Sequence, residues 1–192
     1  TYTATNLIIT TGGMSYPTTG STGDGYHLAR KLGHSIIPSK PSLSPVFVRN
    51  YNFASIAGVS VQNKQVYLYR GDKKIAEHRG DIGFTHKGLS GPGILDFSRH
   101  IHSNDILKVN FAESNPDEFR NSFLKAFEKV GKTAIQTYLK KYDLPRSLVH
   151  LMLQCIEIEP DIRIAEVTKM QRNRLVDSFC RFPFEIERVG GF

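Results

Sequence analysis

The hydrophobic pattern of this chain changes period twice, and that change limits the fold more than any other feature. From Ser35 to about Phe111 the text consists of short β-branched and aromatic runs: Val46 to Val48, Val59 to Val61, Val66 to Tyr69, Asp81 to Thr85 and Ile106 to Phe111. Gly58, Asn63-Lys64, Gly71-Asp72 and Asn104-Asp105 read as turns between them, a spacing that suits a small antiparallel barrel or sandwich. Beyond Asn115-Pro116 the period becomes helical. Phe119, Phe123, Leu124 and Phe127 share one face, followed by Ile135, Tyr138 and Leu139. Leu148, Leu151, Met152 and Cys155 form another face after Pro145, and Ile164, Val167 and Leu175 a third, for about four helices up to residue 178. Alternation then returns in Phe182, Phe184 and Ile186, so a helical bundle is inserted between β segments.

The opening is different again. Thr5 to Gly13 reads as a short buried strand, Asn6-Leu7-Ile8-Ile9-Thr10, running into Thr11-Gly12-Gly13. A lone apolar strand cannot hide both faces, so its neighbours are expected to lie outside this sequence, as in an excised segment of an α/β layer. Gly20-Ser21-Thr22-Gly23-Asp24-Gly25 then opens a helix over Tyr26 to Leu32. Ser21 or Thr22 is the expected cap, Asp24 sits in the first turn, Arg30 and Lys31 in the last, and Gly33 takes the left-handed stop.

Three glycine-rich segments could carry chemistry. Thr10-Thr11-Gly12-Gly13 at a strand end lets backbone approach a ligand, although a tight turn explains the same text. Gly20 to Gly25 offers free amides and a positive dipole end to an anion, but matches neither GxGxxG nor GxxxxGK[ST]; an ordinary capped helix start is the competing reading. Gly83-Phe84-Thr85-His86-Lys87-Gly88-Leu89-Ser90-Gly91-Pro92-Gly93 reads as a loop shaped around a ligand or another domain. Its His86 is the one candidate acid or base, against the commoner structural role of a lone loop histidine. Ser90 lacks the second glycine of a hydrolase elbow, because Pro92 stands there.

Taken together and in order, these segments resemble the bacterial flavoproteins of the BaiN/YhiN or aminoacetone-oxidase type. The likeness is carried by Leu7 to Pro17, Gly20 to Tyr26, Gly33-His34, Phe84-Thr85-His86 and Gly88 to Pro92. It implies an α+β chain: a small antiparallel β-barrel with an inserted helical bundle, plus one strand and helix from a Rossmann-like FAD domain. It divides the chain into residues 1–37 (partial FAD domain), 38–115 with 179–192 (barrel) and 116–178 (helical bundle). It further implies FAD in the parent protein, NAD(P)H as reductant, and cofactor contacts from Thr11, Gly12, Gly13, Ser15, Gly20, Ser21, Thr22, Gly23 and Asp24. His86 is carried as the catalytic candidate facing substrate. The usual Ala-Thr-Gly-Gly has Thr10 in its first place here. With no GxGxxG in this sequence to hold the pyrophosphate, the chain alone is expected to bind no flavin and to be inactive. Its partners would be the remainder of the FAD-binding domain and an unidentified small molecule.

Composition bounds the alternatives. Only Cys155 and Cys180 are present, without a CxxC pair, and His100 and His102 have no cysteine nearby, so no disulfide framework or zinc site is expected. No apolar run reaches the ~18 residues of a membrane span, and the expected compartment is the cytoplasm, with no membrane partner. The net charge of +7 is spread along all three parts, and its densest run, Lys169 to Arg174, falls in a helical pattern with a solvated face. No specific nucleic-acid partner is therefore expected. The competing class is a non-enzymatic barrel-plus-helix module binding RNA or a protein, which would have no use for the Gly12-Gly13 and Gly20-to-Gly25 pair.

Overall fold

The alternating segments close on themselves. In a computed structural model, which describes residues 3–191, six strands form a closed antiparallel barrel: β1 (Val46–Val48), β2 (Ser60–Arg70), β3 (Lys73–Phe84), β4 (Gly88–Ser90), β5 (Ile106–Asn110) and β6 (Phe182–Val189). Their order around the barrel is β1-β4-β3-β2-β5-β6. Closure removes every sheet edge, which a six-strand open sheet would leave exposed. The chain is thus α+β, a small barrel carrying a helical insert. Residues 1, 2 and 192, at the margins of the expected first and barrel parts, lie outside the described residues.

The alternation explains which way the barrel side chains point. Along β2, Val61, Val66 and Leu68 are buried while Gln65, Tyr67 and Tyr69 look outward. The barrel and the helices share one apolar core, in which Phe53, Phe84, Phe182 and Phe184 stack at the barrel end and Phe119, Tyr142 and Phe179 at the helical end. Phe111 packs against Phe84 and Phe182 of the first group, and its amide donates to the carbonyl of Phe179 in the second at 2.8 Å. Aromatic pairs at 5–6 Å with tilted or offset rings add directional packing to the area they bury.

Four α-helices sit between β5 and β6: α3 (Pro116–Val130), α4 (Ile135–Leu139), α5 (Arg146–Cys155) and α6 (Lys169–Arg181), after α1 (Asp24–Lys31) and α2 (Pro92–Leu95) earlier in the chain. Asn115 and Thr168 each accept the N3 amide, from Glu118 and Gln171, whose side chains reach back to the cap residue. These reciprocal caps set where α3 and α6 begin. Phe119, Phe123, Ile135, Leu139, Leu148, Met152, Ile164, Val167 and Leu175 are buried as their spacing predicts, whereas Leu124, Phe127 and Cys155 are exposed.

Four expectations are corrected. Asn63-Lys64 is not a turn between two strands: β2 runs through it, with Asn63 at φ 50° and a register shift between Val61 and Lys64. Asparagine tolerates the left-handed region, so the chain absorbs it as a bulge. The Gly83-to-Gly93 stretch is not simply a loop, because Gly88–Ser90 forms β4 and Pro92–Leu95 forms α2. The α1 cap is Gly23, at φ 85°, and no side chain caps it, so neither Ser21 nor Thr22 has that role. Finally, Thr5 to Gly13 forms no strand. Among the described residues no strand pairs with it, and Leu7 and Ile8 are 75% and 84% exposed; an apolar run adopts a ladder only when a neighbour supplies the hydrogen bonds.

Residues 42–189 make one compact unit; residues 3–41, with Gly190 and Gly191, make the other.

Candidate functional site

Within the smaller unit, two of the glycine-rich segments lie against each other. The Gly23 amide donates to the Gly13 carbonyl at 3.0 Å. A Cβ on Gly12 would come within 3.3 Å of Ser21 Oγ, and one on Gly25 within 2.5 Å of Thr11 Oγ1. The second distance is below any real carbon contact, so glycine at 25 is what lets the Thr11 hydroxyl lie against the start of α1. Gly12, Gly20 and Gly23 have φ of 76°, 98° and 85°, a region that side-chain-bearing residues enter only at a cost. Thr11, Gly12, Gly13, Gly20, Ser21, Thr22, Gly23 and Asp24 therefore form one patch of nearly bare backbone with hydroxyls around it. Ser15 and Thr22 are exposed nearby in sequence. Tyr16, at φ 58°, begins the 3-10 turn Pro17–Thr19 that connects the two segments. The Gly20, Thr22 and Gly23 amides are already engaged by the Pro17, Gly20 and Gly13 carbonyls, so the patch suits a flat ligand that approaches through the room glycine leaves and meets the hydroxyls of Thr11, Ser21 and Thr22.

The third segment belongs to the larger unit. His86 is exposed in a tight turn between β3 and β4, where the Thr85 amide and hydroxyl both donate to the Gly88 carbonyl, at 2.9 and 3.0 Å. The glycines around it are accounted for by strand packing. A Cβ at Gly88 would sit 2.0 Å from the Val46 carbonyl oxygen, one at Gly91 2.7 Å from that of Asp81, and one at either Gly80 or Gly93 2.7–2.8 Å from the backbone of the other. Strand β4 can wedge between β1 and β3 only because these positions have no side chain.

Two further clefts in the larger unit were not legible in the sequence. One, of about 780 Å³, lies between the barrel end and the 141–145 turn and is lined by Ser60, Lys64, Glu113, Lys141 and Tyr142. Lys64 is buried there with its ammonium 3.0 Å from Glu113. The other, of about 250 Å³, lies between α4 and α5 and is lined by Gln136, Thr137, Lys140, Arg146 and His150 over an apolar floor of Leu144 and Val149. Among the described residues, no group of three or more His, Cys, Asp or Glu side chains gathers as metal ligands would, and no helix is long and apolar enough to cross a membrane.

A closed barrel whose last two strands are separated in sequence by a helical lobe defines the class: a barrel with a helical insert. Residues 40–192 match the HI0933-like protein barrel and H2TH domain, and the chain belongs to that family. Over its whole length it is 28% identical to a 3-dehydro-bile acid delta(4,6)-reductase of Clostridium scindens, of which it covers 48%. Over 97% of its length it is 27% and 25% identical to the ribosomal RNA dihydrouridine synthases of Haemophilus influenzae and Escherichia coli, covering 45% of each. The chain spans about half the length of the curated relatives it matches. The resemblance seen in the sequence is thus borne out at the level of the family.

Proposed function

We propose that this chain serves a flavin-dependent reductase that binds FAD, takes hydride from NAD(P)H and reduces a carbon–carbon double bond of an organic substrate. The observation that carries the reading is the backbone patch formed by Thr11-Gly12-Gly13 and Gly20 to Gly25, which a self-contained barrel does not require. The relatives support it: a bile-acid reductase and a dihydrouridine synthase name one kind of chemistry, the addition of hydrogen to an unsaturated carbon. FAD would supply the hydride relay. The chain's own contribution is positional. Thr11, Gly12, Gly13, Ser15, Gly20, Ser21, Thr22, Gly23 and Asp24 would hold the cofactor's edge, with Gly12 and Gly13 admitting it and the hydroxyls orienting it.

In this reading the apolar run Leu7 to Ile9, unpaired among the described residues, would join a sheet that the rest of the cofactor domain provides, and the larger unit is the insert. His86 would be the residue that acts on the substrate. The cytoplasm is the compartment in which such NAD(P)H chemistry would run. The test is the visible spectrum of the full-length protein before and after NADH or NADPH is added without oxygen. A flavin spectrum bleached by either nucleotide supports the reading; a colourless full-length protein that takes up no FAD rejects it.

A further inference from the structure

The cleft between α4 and α5 contains two cations with nothing to neutralise them, and the hydrogen bonds behind it show why. Gln136 touches two partners, the Asp161 carboxylate and His150 Nε2, the latter 3.0 Å from Gln136 Oε1. A carboxylate only accepts, so the Gln136 amide nitrogen must face Asp161 and its oxygen must face the imidazole. His150 Nε2 is then obliged to carry the hydrogen and donate it. Arg146 Nε lies 3.4 Å from that same nitrogen, and two N–H groups cannot bond to each other. The guanidinium of Arg146 is left without an acceptor among the described residues. Neither Arg146 nor Lys140 forms an ion pair among the described residues, and no carboxylate lines the cleft; Asp161 is engaged on the other side of the Gln136 amide.

We propose that this cleft is a phosphate-binding site, with Arg146 and Lys140 as the charge-bearing ligands and Thr137 as a neutral donor. Arginine's planar fork matches the oxygens of a phosphate, and lysine adds a point charge beside it. Leu144 and Val149 beneath them keep water from one side, which strengthens both interactions. The volume of about 250 Å³, against roughly 30 Å³ for one water, holds a phosphate group with some of its hydration. The ligand class is a phosphodiester of a single-stranded RNA, or the phosphate of a nucleotide. The proposal deepens the reductase reading by adding a ligand subsite, and it explains how a chain with dispersed charge could still meet a polyanion at a defined point.

The experiment uses the full-length protein and a fluorescent single-stranded oligouridylate, titrated at several salt concentrations, with Arg146→Gln/Lys140→Gln compared with Lys125→Gln/Lys129→Gln. The second pair removes the same charge from exposed positions on α3. Melting curves establish that both variants fold, and flavin content measured on the same samples reports separately on the reductase reading. The cleft pair should weaken binding roughly tenfold, as loss of charge-assisted bonds does, and should lower the slope of log affinity against log salt by about 0.7 or more. The α3 pair should change both far less. If the oligouridylate affinity is untouched but KM for NADPH rises while KM for NADH does not, the phosphate site stands and its ligand is the nucleotide. Equal effects from both pairs, or no effect from the cleft pair on either probe, would overturn the proposal.

Discussion

Replacing Gly88 by alanine tests whether the glycines of the 83–93 stretch belong to barrel closure or to a ligand. The added Cβ would stand 2.0 Å from the Val46 carbonyl oxygen and 3.0 Å from Phe47 Cα, at the point where Phe47 pairs with Gly88. No rotamer relieves this clash, because every atom involved is backbone or Cβ. To reach an ordinary contact of about 3.2 Å the two strands must part by more than an ångström, which breaks the β1–β4 pairing and uncovers Val46 and Leu89, both fully buried. Overpacking of this kind costs about 1–3 kcal/mol, and the lost strand pairing raises the expected total to about 3 kcal/mol or more. For a chain of this size that lowers the melting temperature by roughly 6–12 °C. Gly58→Ala is the control: its φ is positive, at 91°, as that of Gly88 is not, and nothing lies within 4 Å of the added carbon. It should cost only the backbone strain of about 1–2 kcal/mol. Thermal unfolding followed by circular dichroism reads both. A Gly88→Ala variant melting with the wild type, or no lower than Gly58→Ala, would refute the steric account.

Two further outcomes follow from buried ionisable groups. Burial alone would raise the Asp105 pKa, but the Arg70 guanidinium, which it meets through two 2.8 Å bonds, and the His102 amide outweigh burial and hold it below the usual carboxylate range. Because the folded pKa is the lower one, this contribution is complete above the unfolded value near 4 and disappears as pH falls through the folded value; Asp105→Asn should flatten that acidic limb of the stability curve, and an unchanged limb would contradict it. Burial also pushes the Cys180 thiol up to about 11, while Cys155 is exposed; a thiol reagent at mildly alkaline pH should modify one cysteine per native chain, identified by mass spectrometry as Cys155, and equal labelling of both would count against the buried placement.

How much of this was legible in the sequence depended on whether an element carries its own partner. The strands β1, β5 and β6 and the helical faces were readable because period alone decides which side chains are buried. Strand β4 was not, since Gly88-Leu89-Ser90 has the composition of a loop and becomes a strand only through the neighbours it wedges between. The opposite error occurred at Leu7 to Ile9, where an apolar run promised a strand that no described residue completes. Asn63 reads as a turn because it favours positive φ, and a bulge uses the same preference. At the candidate site, glycine spacing alone did not bring Gly12-Gly13 to Gly20–Gly25; only the family resemblance assigned both segments to one cofactor. The α4–α5 cleft did not: Gln136, Lys140, Arg146 and His150 are separated in sequence by helix ends and a turn, and Arg146 is freed only by the orientation that Asp161 imposes on Gln136.

The central claim is that the Thr11-Gly12-Gly13 backbone meets a flavin, and the most direct measurement is the FAD-to-protein ratio of the full-length protein carrying Gly13→Val. The account predicts a ratio well below that of the wild type, because a branched side chain at 13 would obstruct the approach to a turn that Gly23 hydrogen-bonds in place. His86→Ala, exposed and distant in sequence, should keep its FAD while losing turnover. A Gly13→Val protein that purifies with the wild-type complement of FAD would contradict the claim.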